Sequence, residues 1–275
     1  MIVEKAPAKI NLALHVRARR DDGYHEIETL FAFLRDGDTL TLTPGPASFA
    51  LEGPFGRALA AEGDNLVVRA AAAFARAFDL PDEGGFVLEK RLPVASGIGG
   101  GSADAAAALR ALARRHGIAL DDPRLFACAD ALGSDVPACL LGRSAFGRGR
   151  GEQLEPVDGL ADTPVLLVNP GVAVSTGEVF GEWDGVDRGP IGEGHLLSSA
   201  LLGRNDLEAP ARALAPVIGD ALLLLLDTDN TRLVRMSGSG ATCFALYKST
   251  EDRTAAAALL RAKRPDWWCL ESTLA

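Results

Sequence analysis

The sequence has no excess of positive charge. Its 28 Lys and Arg stand against 37 Asp and Glu, a formal net charge of −9. A local basic patch remains compatible with that balance, but the overall field is not that of a nucleic-acid binder. Cysteine pairing is missing as well. Cys128, Cys139, Cys243 and Cys269 form no Cys-x-x-Cys unit and have no zinc-like spacing with the four histidines, which leaves four buried thiols in a reducing compartment as the expectation. Long apolar runs are absent. Leu222 to Leu226 is far too short to cross a bilayer and reads as a buried helix segment. Residues 1–7 lack the apolar core of a signal peptide. A cytoplasmic protein with no membrane partner is therefore expected. Neither an internal repeat nor a low-complexity linker is visible.

What is present is the composition of a globular enzyme-sized chain: 275 residues, 48% hydrophobic and 24% charged. That length fits two modest domains or one large one. Ile10, Leu12, Leu14 and Val16 alternate with Asn11, Ala13 and His15, which is the period of a strand. After the turn signal Asp21-Asp22-Gly23, residues 27–34 and 39–43 read as two strands joined through Asp36-Gly37-Asp38. Helices are expected over 65–78, 103–116, 123–132 and 251–263, and from Ser175-Thr176. A helix over 208–226 is expected to be interrupted by Pro210 and Pro216. Strands are expected over 86–92, 165–168, 233–236, 242–247 and 267–271, with two more flanking 147–151. Both halves mix strands and helices without strict alternation, so the fold class is α+β. A soft boundary near residue 160 divides 1–160 from 161–275.

One segment stands out: Pro93-Val94-Ala95-Ser96-Gly97-Ile98-Gly99-Gly100-Gly101-Ser102-Ala103-Asp104. It follows an expected strand and opens an expected helix. Glycine lets backbone approach a ligand closely and adopt positive φ. Ser102 is placed to cap the helix behind it. Free N–H groups and the positive end of the helix dipole would then face phosphate oxygens. The segment has no Gly-Lys-Ser/Thr, so it is not a Walker A loop. It also lacks the parallel βαβ setting of the dinucleotide fingerprint. The plainer alternative is a flexible loop with a helix cap.

Lys9 opens the first strand, and Asp135 lies in Gly133-Ser134-Asp135-Val136-Pro137 beyond a helix. A carboxylate near a hydroxyl can accept its proton in phosphoryl transfer, and a nearby ammonium can stabilise developing negative charge. Sequence alone does not bring the two together. The alternatives are a turn-forming Asp and a solvated Lys.

Three segments together resemble the GHMP small-molecule kinase superfamily: Lys9-Ile10-Asn11-Leu12, the glycine-rich segment, and Ser237-Gly238-Ser239-Gly240-Ala241. The finer pattern resembles the branch acting on a cytidine diphosphate-linked alcohol. It is carried by Asp22-Gly23-Tyr24-His25-Glu26, Gly133-Ser134-Asp135-Val136-Pro137 and Asn205-Asp206-Leu207-Glu208. The resemblance spans nearly the whole chain and implies two domains. The N-terminal one would be ribosomal-protein-S5-like and the C-terminal one ferredoxin-like, with the active site in the cleft between them.

It also implies site residues. Asp135 would be the base, or the group orienting the hydroxyl, with Lys9 beside it and Asn11 helping to hold the hydroxyl. Tyr24 and Phe180 would sandwich the cytosine and His25 would read its polar edge. Phe31 and Thr176 would line the same pocket, although Phe31 equally fits a core position. ATP would lie along the loop from Pro93 to Asp104, with Asn65 and Lys90 as further candidates. Mg²⁺ would bridge the β and γ phosphates, with Ser102 as a protein ligand. Ser96 stands where a smaller residue is common in the family. The expected partner is a small molecule, and the expected assembly is a monomer or weak homodimer. Two rivals remain at this point: another kinase of the superfamily, acting on homoserine, a mevalonate derivative or a sugar, and a non-catalytic nucleotide- or RNA-binding S5-like module.

Overall fold

The computed structural model describes residues 1–60, 65–81 and 83–275. In chain order the elements are β1 (Ile2–Arg19), β2 (His25–Pro46), β3 (Ser48–Glu52), α1 (Gly56–Ala60), α2 (Leu66–Phe78), β4 (Glu83–Glu89), α3 (Gly100–His116), α4 (Pro123–Leu132), α5 (Val136–Leu141), β5 (Ala145–Arg148) and β6 (Gln153–Pro156). They continue as β7 (Pro164–Asn169), α6 (Thr176–Gly181), α7 (Leu196–Leu202), α8 (Glu208–Leu214), α9 (Val217–Leu226), β8 (Thr231–Met236), β9 (Cys243–Tyr247), α10 (Thr250–Lys263) and β10 (Trp268–Thr273). The chain folds into two compact units. One comprises residues 1–9, 36–94 and 99–142, and the other 10–35, 95–98 and 143–275.

In the first unit, residues 39–43 of β2 run antiparallel to β4, and β3 runs parallel to β4 on its far side. Helices α2, α3, α4 and α5 pack on one another. Their contact faces are rich in alanine. Ala105 to Ala108, Leu109, Ala111 and Leu112 of α3 are buried, as are Val67, Ala70 and Phe74 of α2. Small side chains let these helix backbones approach closely. The cap of α2 is Asn65, whose Oδ1 accepts from Val67 N at 2.8 Å.

The Asp36-Gly37-Asp38 segment is not a turn. It lies inside β2, which runs through from His25 to Pro46. Gly37 is needed because a Cβ there would lie 2.1 Å from Ala6 O. Asp38 is fully buried, and its Oδ1 accepts from Arg91 N at 2.5 Å and Leu92 N at 2.8 Å. Tertiary partners override the local turn signal.

In the second unit, residues 29–31 of β2 pair antiparallel with β5, and β5 pairs with β6. A separate four-stranded antiparallel sheet has the order β10-β7-β9-β8. Helices lead from β7 to β8, a hairpin joins β8 to β9, and α10 leads to β10. That is the split βαβ arrangement of a ferredoxin-like fold. Every residue of β7 is buried, as expected of a central apolar strand. The core gathers Leu166, Val168, Leu207, Ile218, Leu222, Leu225, Tyr247 and Leu260. Within Leu222–Leu226, Leu223 and Leu226 are exposed, so that segment is amphipathic rather than wholly buried. Pro216 does end α8, whereas Pro210 sits in its first turn, where its missing N–H breaks no helical bond. Helix α7 and the short α1 and α5 carried no sequence signal strong enough to announce them.

Candidate active site

Strand β1 is buried on both faces from Ala8 to Val16. Its second face therefore carries buried polar groups: Lys9 at 3% exposure, Asn11 at 2% and His15 at 2%. Such groups need partners. Lys9 finds Asp135, with Nζ 2.9 Å from Oδ2. Asp135 is the N-cap of α5, yet its side chain makes no capping bond. Its backbone carbonyl starts the helix by accepting from Cys139 N at 3.1 Å, which leaves the carboxylate directed at Lys9. Pro137 in the first turn stiffens the residue's setting. Gly99 completes this group. A Cβ there would stand 2.6 Å from Lys9 Cγ and 2.9 Å from Cε, so any larger residue would have to push the lysine stem aside.

The glycine-rich segment is wound by positive φ at Ala95 (51°), Gly97 (76°) and Gly99 (66°). Helix α3 begins at Gly100, and Gly99 is its cap without a side-chain bond. Ser102 therefore lies inside the first turn and is not the cap, because glycine in the left-handed region turns the chain into the helix earlier. The first helical bond runs from Ala103 N to Gly99 O at 2.8 Å. The N–H groups of Gly100, Gly101 and Ser102 precede it and have no helical acceptor, which makes an anion cradle.

In the second unit, residues 95–98 rest on the turn between β8 and β9. Thr242 N donates to Ser96 O at 3.2 Å, and Ser237 Oγ donates to Gly97 O at 3.0 Å. Ser96 is buried at 4% exposure. Asn11 N donates to Ser237 Oγ at 3.2 Å, while Asn11 Nδ2 donates to Thr29 Oγ1 at 2.8 Å. Asn205 holds the turn from below: its Nδ2 donates to Met236 O and Gly238 O, both at 2.8 Å, and its Oδ1 accepts from Leu207 N. Asn205 belonged to a recognisable sequence motif, but its work as a staple needed the fold.

Of the candidates for the ATP side, Asn65 is occupied through Oδ1 as a helix cap. Lys90 and Asp104 are sealed inside, at 1% and 2% exposure, in an ion triad with Asp38. Burial raises the Asp104 carboxyl to about 7 against the pull of Lys90, with Asp38 adding to the rise.

The aromatic candidates also lie in the second unit. His25 meets Phe180 with ring centres 4.9 Å apart, and the edge of Trp183 at 5.8 Å. Trp183 is 3% exposed, and Arg19 lies 6.0 Å from its ring. Burial, and then the Arg19 charge, lower the His25 pKa, and its Nε2 is buried without a partner among the described residues. Tyr24 is 52% exposed and lies under the Arg150 guanidinium at 4.9 Å. Thr176 Oγ1 and Ser239 Oγ are 2.9 Å apart, and Ser175, not Thr176, caps α6. Phe31 is fully buried, in the core. Trp183 went unnoticed in the sequence because an isolated Trp beside a loop has no periodic signature.

Family models match on both sides of residue 160. The GHMP kinases N terminal domain matches residues 65–143, and the GHMP kinases C terminal domain residues 189–265. A 4-diphosphocytidyl-2-C-methyl-D-erythritol kinase of Rhizorhabdus wittichii is 57% identical over 98% of this chain and 94% of its own length. The chain belongs to the 4-diphosphocytidyl-2-C-methyl-D-erythritol kinase family of GHMP kinases. Another kinase of this family, from Novosphingobium aromaticivorans, is 52% identical over 98% of this chain and 92% of its own length. A crystal structure of 4-(cytidine 5'-diphospho)-2C-methyl-D-erythritol kinase superposes with a TM-score of 0.80 at 38% identity, covering 99% of both chains. Homoserine kinase from Cytophaga hutchinsonii, at 17% identity and a TM-score of 0.65, shares the fold. As a family member the chain is an ATP-dependent kinase with a two-domain α+β fold. Among the described residues no helix is long and apolar enough to cross a membrane.

Proposed function

We propose that this kinase transfers the γ-phosphoryl group of ATP to the 2-hydroxyl of 4-diphosphocytidyl-2-C-methyl-D-erythritol, in the cytoplasm and on the non-mevalonate route to isoprenoid precursors. The observation that carries the chemistry is the pair Lys9 Nζ and Asp135 Oδ2 at 2.9 Å, with the lysine stem lying under Gly99 of the phosphate cradle. In this reading residues 1–160 and 161–275 are the two family domains, and the protein works as a monomer or weak homodimer.

Asp135 accepts a hydrogen bond from the substrate hydroxyl, aims it at the γ-phosphorus, and takes its proton as the new P–O bond forms and the bond from the γ-phosphorus to the bridging oxygen breaks, releasing ADP. Lys9 holds the Asp135 carboxylate in place and balances charge gathering on the transferred group. Asn11, two residues along the same strand and so on the same face, steadies the hydroxyl. The N–H groups of Gly100, Gly101 and Ser102 hold the phosphates of ATP. Mg²⁺, when bound, would neutralise charge on the β and γ oxygens. Magnesium at such sites takes most ligands from phosphate and water. Ser102, in the first turn of α3, is the protein residue that would hold it. Tyr24 and Phe180 take the two faces of the cytosine and His25 reads its polar edge, with Thr176 beside them. A neutral His25 can both donate to and accept from the base edge, which its lowered pKa favours.

An ADP-coupled assay with the purified protein, offering the cytidine-bearing alcohol beside homoserine, mevalonate and a sugar, tests this assignment. Turnover should be confined to the first substrate. Preference for any of the others would overturn it.

A further inference from the structure

The chain leading into the glycine-rich loop and the helix leading out of it are tied together through one buried ammonium and two buried carboxylates. Asp38 Oδ1 accepts from Arg91 N and Leu92 N, the two amides before Pro93. Its Oδ2 lies 2.5 Å from Lys90 Nζ, and the same ammonium reaches Asp104 Oδ2 at 2.7 Å, on α3 just past the loop. All three side chains are 2% exposed or less. From this geometry we propose that Asp38, Lys90 and Asp104 form a clamp that sets the shape of the phosphate cradle, acting as positioning residues for ATP without touching it.

The path of the backbone explains why the clamp acts on this loop. Lys90 is itself fixed at the end of β4: its N–H donates to Glu52 O at 2.8 Å, and its carbonyl accepts from Phe55 N at 3.1 Å. Its ammonium then reaches up beneath the first residue of α3. A Cβ on Gly100 would lie 2.9 Å from Lys90 Nζ and 3.9 Å from Asp38 Oδ2. Gly100, the first residue of the cradle turn, is thus packed against the triad. Lys90 has no surface with which to meet a nucleotide, and two carboxylates already engage its charge. What it can transmit is position: if Asp104 loses its hold on the ammonium, the first turn of α3 is free to shift away from β4, and the three cradle amides shift with it. A point charge between two carboxylates is what lysine supplies here, and the planar fork of arginine is not interchangeable with it.

The inference rests on the loop being the site of ATP's phosphates. Its test is the ratio of ATP to AMP affinity, measured by calorimetry with Mg²⁺ present, which needs no acceptor substrate. Asp104→Ala should weaken ATP binding about tenfold while AMP, which barely engages the cradle, changes less than about twofold. Asp104→Asn keeps the shape and one acceptor, and should recover most of the loss; it also serves if the alanine variant folds poorly. Unchanged affinity for both nucleotides in both variants would overturn the clamp. Equal weakening of both would overturn it too, since the triad would then be a staple of the fold alone. Turnover of wild-type protein with the cytidine-bearing alcohol reads the proposed function separately.

Discussion

Lys9 Nζ stands 2.9 Å from Asp135 Oδ2, with the lysine 4% and the aspartate 35% exposed at their side chains. The asymmetry is the useful part. The ammonium is drawn from the interior side, while the carboxylate keeps an open flank on which a hydroxyl can dock. A surface ion pair would have both partners wet and contribute little.

Replacing either partner should therefore cost turnover more than binding. Asp135→Asn and Lys9→Ala should each lower kcat by at least about a hundredfold, within the range for removal of a proton-transfer or charge-stabilising group. The affinity for ATP, measured by calorimetry, should hold. Near-normal turnover in the ADP-coupled assay would remove both residues from catalysis.

Gly99→Ala should mimic part of that loss without touching either charge. The new methyl would meet the Lys9 stem at 2.6 Å, and φ of 66° is unfavourable for alanine by about 1–2 kcal/mol. Flexible lysine carbons can give way, so the protein should fold with a Tm reduced by a few degrees. Displacement of the ammonium should lower kcat more than it raises KM for ATP.

The lowered pKa of His25 sets a pH signature. Its neutral form prevails down to below the ordinary histidine value of 6.5. The KM for the cytidine-bearing substrate should rise only as acid protonates the ring, and KM for ATP should not follow it. Phe180→Ala should raise the same KM about tenfold at neutral pH by removing the ring that meets His25. A parallel rise in both KM values would point to unfolding instead.

Asp104 gives a stability signature of opposite sense to the usual carboxylate. Its folded-state pKa is raised from 3.8 to about 7. Between those values the native protein binds a proton that the unfolded chain has released, so this group's contribution to stability falls as pH rises through the window. Asp104→Asn has no such titration. Subtracting its Tm-versus-pH curve from that of the wild type should leave a decline with rising pH between about 4 and about 7. A flat difference would show that the triad titrates elsewhere.

Asn205→Ala should destabilise without a direct effect on chemistry. It strips Met236 O and Gly238 O of one donor and Leu207 N of its acceptor. Each unmet buried group costs about 1–3 kcal/mol. Chemical denaturation should show a loss at least as large as that of one such group, and the Ser237–Gly240 turn under Gly97 should become more open to amide exchange.

Much of this site was legible before the fold was known. The cradle announced itself because glycine density, a preceding strand and a following helix are all local properties. The strand carrying Lys9 was evident from its period of two. The α+β class followed from strands and helices mixing without strict alternation.

Local signals failed where long-range packing decided. Asp36-Gly37-Asp38 carries turn residues, yet it runs straight because Gly37 meets Ala6 and Asp38 caps the amides of Arg91 and Leu92. Ser102 looked like a cap, but the left-handed Gly99 had already started the helix. The resemblance offers Lys90 and Asp104 as nucleotide ligands, but here the ammonium is enclosed by two carboxylates. Trp183 behind His25 had no signature at all. Glycine content and the period of two are written in adjacent positions, so the loop and the first strand could be read from the chain as candidates. Which charges meet depends on the packing of segments far apart in the chain and on which of them burial leaves in need of a partner.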